Sequence, residues 1–218
     1  ISRSSQEEFA LDSHMKSIYA RDNGYFKSEI CPITSDDGVI DEDGCIRDTS
    51  LESMSKLNPV FRNNGSVTAA TSSPLTDGAV CMLVCSSEFA EKNGLEPLAR
   101  IVTSAVTGCP PNMMGIGPIS STQKALERSG WHINDIDVFE INEAFSSQSI
   151  AVINELSIDY QKVNIDGGAI SIGHPLGASG ARIVGKAASI LNRTNSERAI
   201  ATMCIGGGMG ITIVLESP

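Results

Sequence analysis

Three short stretches of this chain place chemically useful side chains in similar surroundings. Gly167 to Leu191 reads GGAISIGHPLGASGARIVGKAASIL and sets His174 at the apex of a turn, between Gly173 and Pro175. Phe139 to Phe145 reads FEINEAF and carries Asn142, and Met203 to Gly210 reads MCIGGGMG and carries Cys204. Each runs from an apolar, strand-like segment into an abrupt polar or sulfur residue and then into glycine or a helix. Glycine and proline at this density let a backbone bend sharply beside a ligand, where side chains would block the approach. Proline also fixes its own φ and restricts the residue before it, so His174 is a positioned histidine. Three such turns in one short region point to one shared site.

The chemistry open to these residues is proton transfer and oxyanion stabilisation. Histidine takes or gives a proton near neutral pH. Asparagine cannot ionise and is therefore a stable donor for holding a water or a carbonyl oxygen. Cys204 stands where a strand runs into Gly206-Gly207-Gly208, whose bare N–H groups can point into a cavity as an oxyanion site. Each residue also has a plainer role: His174 as a turn histidine at a helix start, Asn142 as an N-cap, Cys204 as a buried core thiol. Residue types and spacing alone leave both roles open.

The segments around these turns predict the frame that holds them. From Ile136 onward the pattern alternates: a strand to Ile141, a helix from Glu143 to Leu156, a strand near Val163 to Ile165, a helix from Ser179 to Leu191, a strand from Ala199 to Cys204, a glycine turn and a strand from Ile211 to Leu215. Such alternation implies an α/β layered domain, and the last two strands, joined by a few residues, must be antiparallel. The expected sheet is therefore mixed and covered by helices. Upstream, Ala99 to Ala105 reads as a strand and Ser120 to Arg128 as a helix stopped by Gly130, with Met113 and Met114 in the proline-glycine loop between them. Methionines there fill gaps or line a slot for a flexible chain-like ligand. Ala79 to Cys85 reads as a buried strand and Ser86 as the cap of a short helix ending at Asn93-Gly94. Residues 1 to 23 have a helical period, Phe26 to Ile33 could form a strand, and the acidic, glycine-dotted run from Thr34 to Asn64 has the look of a surface excursion.

Composition narrows the class. The 218 residues are 41% hydrophobic and 19% charged, enough for a real core, and no apolar run reaches the length of a membrane span. A net charge of -10 argues against nucleic acid, whose affinity rests on clustered Lys and Arg, so neither nucleic acid nor a membrane is an expected partner. An anionic ligand would have to be held by local groups instead of the overall field. The six cysteines form no C-x-x-C pair and there are three histidines, so no metal site is expected; Cys81 and Cys85 read as core thiols, and a reducing, cytoplasmic compartment fits. The chain starts at Ile1 in the run-up to a helix and is read as a piece of a longer protein.

His174 in GGAISIGHPLGASGAR, Asn142 in NEAF and Cys204 in CIGGGMG, in that order, resemble the three C-terminal signatures of the thiolases, the acetyl-CoA acetyltransferase and 3-ketoacyl-CoA thiolase family. SVTAATSSPLTDGA, MGIGP and the opening ISRSSQEEFALDSH resemble family segments as well, so the likeness spans the chain. It implies a layered αβαβα fold of two similar halves with a loop domain inserted in the first. It further implies that His174 accepts a proton from a nucleophilic cysteine and that Cys204 is acid and base at the α-carbon of acetyl-CoA. Asn142 would position a water that shares one oxyanion hole with His174, and the Gly206 N–H would serve a second. Ser73, Met114 and Phe145 match positions lining the pantetheine and acyl pocket. Acetyl-CoA, 3-ketoacyl-CoA and CoA would be substrates, with no cofactor, in a homodimer or homotetramer.

The departure from the family pattern is an absence. The family's nucleophile lies in a cysteine-glycine turn of the first half, and Cys31, Cys45, Cys81, Cys85 and Cys109 lack that context. The resemblance therefore implies a C-terminal portion: 1–75 from the loop domain, 76–95 the last strand and helix of the N-terminal domain, and 96–218 the C-terminal domain. A smaller departure is Thr71-Ser72-Ser73, where many members have Asn-Ala-Ser. Two functions remain: a part of a working thiolase, or a non-catalytic acyl-CoA-binding or dimerisation module. Retention of His174, Asn142 and Cys204 together favours the first, since a binding module has no need of two acid–base groups.

Overall fold

The computed structural model describes residues 1–218. Backbone contacts gather them into two units that are discontinuous in sequence. Ile1–Thr76, Glu143–Ala151 and Asn164–His174 make the first; Asp77–Asn142, Val152–Val163 and Pro175–Pro218 make the second.

The first unit is built on helix α1, Arg3–Asp22, which starts at Ser2, whose hydroxyl accepts from the Ser5 N–H at 3.1 Å, and stops at Asn23 before Gly24 at φ 74°. Its buried face is mixed: Phe9, Ala10 and Ala20 lie beside Gln6, Glu7, Ser13, His14 and Ser17. A helix with this many buried polar groups must supply them with partners, and Ser13 and Ser17 find theirs in the segment 164–171. Helix α2, Leu51–Ser55, is pinned to the start of α1 by Arg3, whose Nη2 donates to the carbonyls of Met54, Ser55 and Leu57 at 3.2, 3.1 and 2.7 Å. Strands β1, Ile33–Ser35, and β2, Gly38–Ile40, form a small exposed hairpin about Asp36-Asp37, with Gly38 at φ 127°. The strand expected at Phe26 to Ile33 is instead a series of turns, and extended structure begins at Ile33.

The second unit holds a four-stranded sheet. Its strands are β3 Arg100–Gly108, β4 Val138–Ile141, β5 Arg198–Ile205 and β6 Met209–Glu216, in the order β3-β6-β5-β4. β6 is antiparallel to both neighbours, and β4 is parallel to β5, so the sheet is mixed as expected. Helix α4, Gly117–Ser129, lies on one face: Ser121 and Thr122 hydroxyls meet Thr212 Oγ1 at 2.8 and 3.1 Å, and Thr212 meets Thr202 at 2.7 Å. Helix α7, Leu176–Thr194, runs from Pro175 to Asn195, which adopts φ 52° as a left-handed cap. A Cβ placed at Gly180 on α7 would touch Met203. Met203 and Thr202 are consecutive on a strand and point to opposite faces, so α7 covers the face that α4 leaves. At the crossing of α4 and β6 the backbones of Gly117 and Gly210 leave no room for a side chain at either position. Helix α3, Ser87–Lys92, is capped by the Ser86 hydroxyl, which accepts from Phe89 N at 3.2 Å.

Further sequence expectations are corrected here. Ala79 to Cys85 is not a buried strand: it has no regular structure, Leu83 and Val84 are 69% and 62% exposed, and Cys81 and Cys85 are exposed thiols. An apolar run becomes a buried strand only where a neighbour pairs its backbone, and none of the four sheet strands does. Ala169 to Ile172 is not strand-like either but a one-turn helix, α6, and Val163 keeps only a single parallel bridge to Phe139. Helix α5 runs from Ser146 to Leu156, three residues later than Glu143, and its first six residues belong to the first unit. No helix is long and apolar enough to cross a membrane.

Candidate active site

In the second unit, Asn142 and Cys204 occupy the carboxyl ends of adjacent parallel strands. The β4–β5 register matches Ile141 with Thr202, and the ladder continues one step as the Asn142 N–H donates to the Thr202 carbonyl at 3.0 Å. Cys204 lies two residues beyond Thr202, so its side chain shares the α4 face. The carboxyl ends of parallel strands are where α/β sheets build ligand crevices. Asn142 is fully buried and lies four residues before the first residue of α5, so the helix-cap role that its type suggested is not the one it plays.

Cys204 is 7% exposed, and burial pushes its thiol above the ordinary range, with a smaller push from Cys109 against a backbone hydrogen bond that lowers it. It therefore sits as a neutral thiol at neutral pH: a proton donor at rest and, once deprotonated, a strong base. β5 turns into β6 through Gly206-Gly207-Gly208, closing with Ile205 opposite Met209. Gly207 and Gly208 take φ 93° and 94°, a region that glycine reaches without cost. Gly206 needs no such conformation, and a Cβ there would meet open space, so packing does not demand a glycine at 206. Gly208 is different: a side chain there would strike Cys109 and Pro111.

That close approach brings the methionine loop to the same end of the sheet. Cys109 N donates to the Gly208 carbonyl at 2.8 Å, and residues Pro111–Ile116 form a 3₁₀ segment ending at α4. Met114 is half-buried and its carbonyl receives a long contact from Cys109 Sγ at 3.9 Å. Asn142, Cys204, Gly206 and Met114 are thus held by one unit.

Ser73, Phe145 and His174 belong to the other unit. Ser73 N and Oγ both reach the Ala144 carbonyl, at 3.1 and 3.3 Å, and Ser72 forms a bridge with Phe145. Phe145 stands edge-on to Phe61, ring centroids 6.1 Å apart. His174 is fixed from behind: Gly173 at φ 107° ends α6, the His174 N–H donates to Thr76 Oγ1 at 2.9 Å, and a side chain at Gly173 would collide with Thr76. Ser73 and Phe145 are therefore neighbours, and His174 is anchored by a threonine three residues beyond Ser73.

Glu143 escaped notice in the sequence. It is 1% exposed, and its carboxylate accepts from Ser13 Oγ at 2.7 Å, Asn164 Nδ2 at 2.7 Å and Ile170 N at 3.1 Å. The available signal was a pair of carboxylates, Glu140 and Glu143, within FEINEAF at the end of a strand-like segment, since an acid there is either a surface break or a paired buried charge.

The chain matches the family model described as "Thiolase, C-terminal domain" over residues 95–217 and that described as "Thiolase, N-terminal domain" over residues 1–88. It is 44% identical to the acetyl-CoA acetyltransferase of Paracoccus denitrificans over all of its length and 57% of that protein's. It is 46% identical to the 3-ketoacyl-CoA thiolase of Aliivibrio fischeri, again over all of this chain and 59% of the relative. Among solved structures, human mitochondrial 3-ketoacyl-CoA thiolase in complex with CoA superposes with a TM-score of 0.95 at 40% identity, covering the whole chain and 55% of that protein. The chain thus spans a little over half the length of the relatives it matches, and its fold is theirs.

Proposed function

The chain belongs to the thiolase family, and from that membership we propose that it is the C-terminal part of an acyl-CoA C-acyltransferase. The reaction is the reversible condensation of two acetyl-CoA to acetoacetyl-CoA and CoA, or the thiolytic cleavage of a longer 3-ketoacyl-CoA. The wording CIGGGMG leans toward the acetyltransferase type. The nucleophilic cysteine lies on residues outside this chain, so 1–218 alone is inactive.

The observation that carries the reading is Cys204: a neutral thiol at the carboxyl end of β5, between a strand next to Asn142 and a turn of bare N–H groups. Breaking the bond between Cα and Cβ of a 3-ketoacyl thioester leaves an enolate that needs a proton at the α-carbon. A thiol kept neutral by burial supplies it, and the resulting thiolate then takes the proton of the incoming CoA thiol. In the synthetic direction the Cys204 thiolate removes the α-proton, and the same burial that raises its pKa makes it a stronger base. His174 takes the proton of the acyl-accepting cysteine. Asn142 orients a water that with His174 faces one developing oxyanion, and the Gly206 N–H faces the other. Ser73, Met114 and Phe145 line the pantetheine and acyl pocket.

Further parts of the reading follow from the chemistry and the family. A catalytic free thiol requires a reducing compartment, for which we take the cytoplasm. The working form is a homodimer or homotetramer, and the place of the reaction is fatty acid metabolism. The test is thiolysis of acetoacetyl-CoA by the full-length protein with CoA, alongside purified 1–218. Turnover by the full-length protein and none by 1–218 supports the reading; comparable turnover by 1–218 overturns the assignment of the nucleophile to residues outside it.

A further inference from the structure

We propose that Glu143 is the residue that positions His174, acting through the one-turn helix α6; the inference rests on the reading of His174 as the proton acceptor given above. Glu143, α6, His174 and all the groups used in the argument belong to the first unit. Glu143 Oε2 accepts from the Ile170 N–H at 3.1 Å and from Ser13 Oγ at 2.7 Å, while Oε1 accepts from Asn164 Nδ2 at 2.7 Å. One carboxylate thereby gathers a residue of α1, a residue ahead of α6 and the second residue of α6 itself. Its immediate chain neighbour is Asn142.

The serines extend this grip. A hydroxyl has one proton, and that of Ser13 goes to Glu143, so the Ser13 oxygen receives from Gly168 N at 3.2 Å; the Ser171 hydroxyl lies 3.0 Å from it. Ser171 also meets Ser17 Oγ at 2.7 Å, and Ser17 reaches the Asp166 carbonyl at 3.1 Å. At Gly168 any side chain would run into the Glu143 carboxylate, so the glycine is what allows the acid to sit against the backbone.

A helix of four residues cannot hold its own shape, because nucleation costs more than a single turn returns. α6 is held from outside at both ends. Glu143 fixes its start, and just past its end His174 N donates to Thr76 Oγ1 at 2.9 Å. His174 follows Ile172 by two residues, so a shift at the start of α6 is passed to the imidazole. An apolar side chain of similar volume would leave the Ser13, Asn164 and Ile170 donors buried without this acceptor, so the carboxylate serves stability as well as geometry, and a readout at His174 separates the two. A carboxylate earns its place where several backbone and side-chain donors must be held in one geometry.

The test uses the full-length protein. Glu143→Ala should lower kcat for acetoacetyl-CoA thiolysis by about 10²-fold, the scale expected when a catalytic group is misplaced by an ångström, with little change in KM. Glu143→Gln, which keeps an acceptor and can pair with a turned Asn164 amide, should recover most of that loss, whereas the apolar near-isostere Glu143→Leu should not, even if it melts as high as wild type. In a His174→Ala background Glu143→Gln and Glu143→Ala should cost nothing further. Should Glu143→Ala fail to fold, Ser13→Ala and Asn164→Ala each remove one donor and should give smaller kcat losses that likewise vanish without His174. Unchanged kcat in Glu143→Ala, or losses that multiply in full with those of His174→Ala, would overturn the proposal. If wild type turns over but His174→Ala is as fast, the role of His174 is wrong and the positioning role falls with it. Absence of thiolysis in the wild-type protein would sink the thiolase reading itself.

Discussion

The main-chain N–H of Asn142 donates to the carbonyl of Thr202 at 3.0 Å, so Asn142 is still part of the sheet when its side chain leaves it. This one bond sets the asparagine at a fixed height relative to Cys204, two residues farther along β5. A side chain on a paired strand end is held more firmly than one on a free loop, which is what an oxyanion contributor needs.

For Asn142 the consequence is separable in experiment. Asn142→Ala keeps the backbone bond to Thr202 and removes no helix cap, because α5 starts at Ser146. In the full-length protein the change should slow turnover by about 10²-fold, the scale for one lost oxyanion donor. Melting temperature measured beside kcat checks it. A loss of stability with turnover preserved would show that Asn142 is structural.

The contact of Gly117 with Gly210 gives a stability prediction far from the chemistry. A Cβ at either position would meet the backbone of the other strand or helix, which cannot yield as a flexible side chain can. Gly117→Ala should therefore cost about 1–3 kcal/mol, the usual scale of overpacking. Denaturant unfolding reads it, and Gly206→Ala, where the added methyl meets open space, is the matched control that should unfold like wild type.

His14 offers a pH test. Burial first, and then the Arg47 charge, lower its pKa from 6.5 to about 4. The folded state thus holds the imidazole neutral while the unfolded state protonates it below 6.5. Stability from this group is complete above pH 6.5, falls as pH drops through the window from 6.5 to about 4, and is fully lost below it. Within the window the slope reaches about 1.4 kcal/mol per pH unit. His14→Gln cannot titrate, so its unfolding free energy should lack that part of the slope. Identical slopes for wild type and variant would refute the account.

How much of this was legible depended on whether the relevant contacts are local. The turn at Cys204 could be read because both flanking strands and the three glycines are contiguous, and the helix after Pro175 because its period is long. Glu143 could not be read as a clamp: its partners Ser13 and Ile170 lie 130 and 27 residues away, and no spacing rule links them. The helix α6 was hidden for the same reason, since its apolar sequence suits a strand and the carboxylate that holds its first turn comes from elsewhere. Ala79 to Cys85 misled in the opposite direction, because its apolar character reports a need for burial, which this sheet does not meet.

Cys204 carries the last prediction. Its task as proposed is proton transfer at the substrate's α-carbon, whereas the acyl group is carried by a cysteine outside this chain, so the two thiols should fail differently. Cys204→Ser keeps the size of the group but replaces the thiol by a hydroxyl far too weakly acidic to serve as the base. In the full-length protein this variant should still be acylated by labelled acetyl-CoA, more slowly than wild type, because the CoA thiolate is a good enough leaving group to depart without the proton that Cys204 would give it, whereas the α-proton cannot leave without a base. It should fail to condense the acyl group with a second acetyl-CoA and fail to exchange the α-protons of acetyl-CoA with deuterated water. In wild type, where burial holds the thiol neutral beyond the ordinary cysteine range, the protonated form needed for cleavage should persist to a pH at which an exposed cysteine would already be ionised. Mass spectrometry of the protein reports acylation, NMR of the substrate reports exchange, and the alkaline limb of kcat for thiolysis reports the thiol. A Cys204→Ser protein that condenses normally, or one that cannot be acylated at all, would mean that this cysteine does something other than move the α-proton.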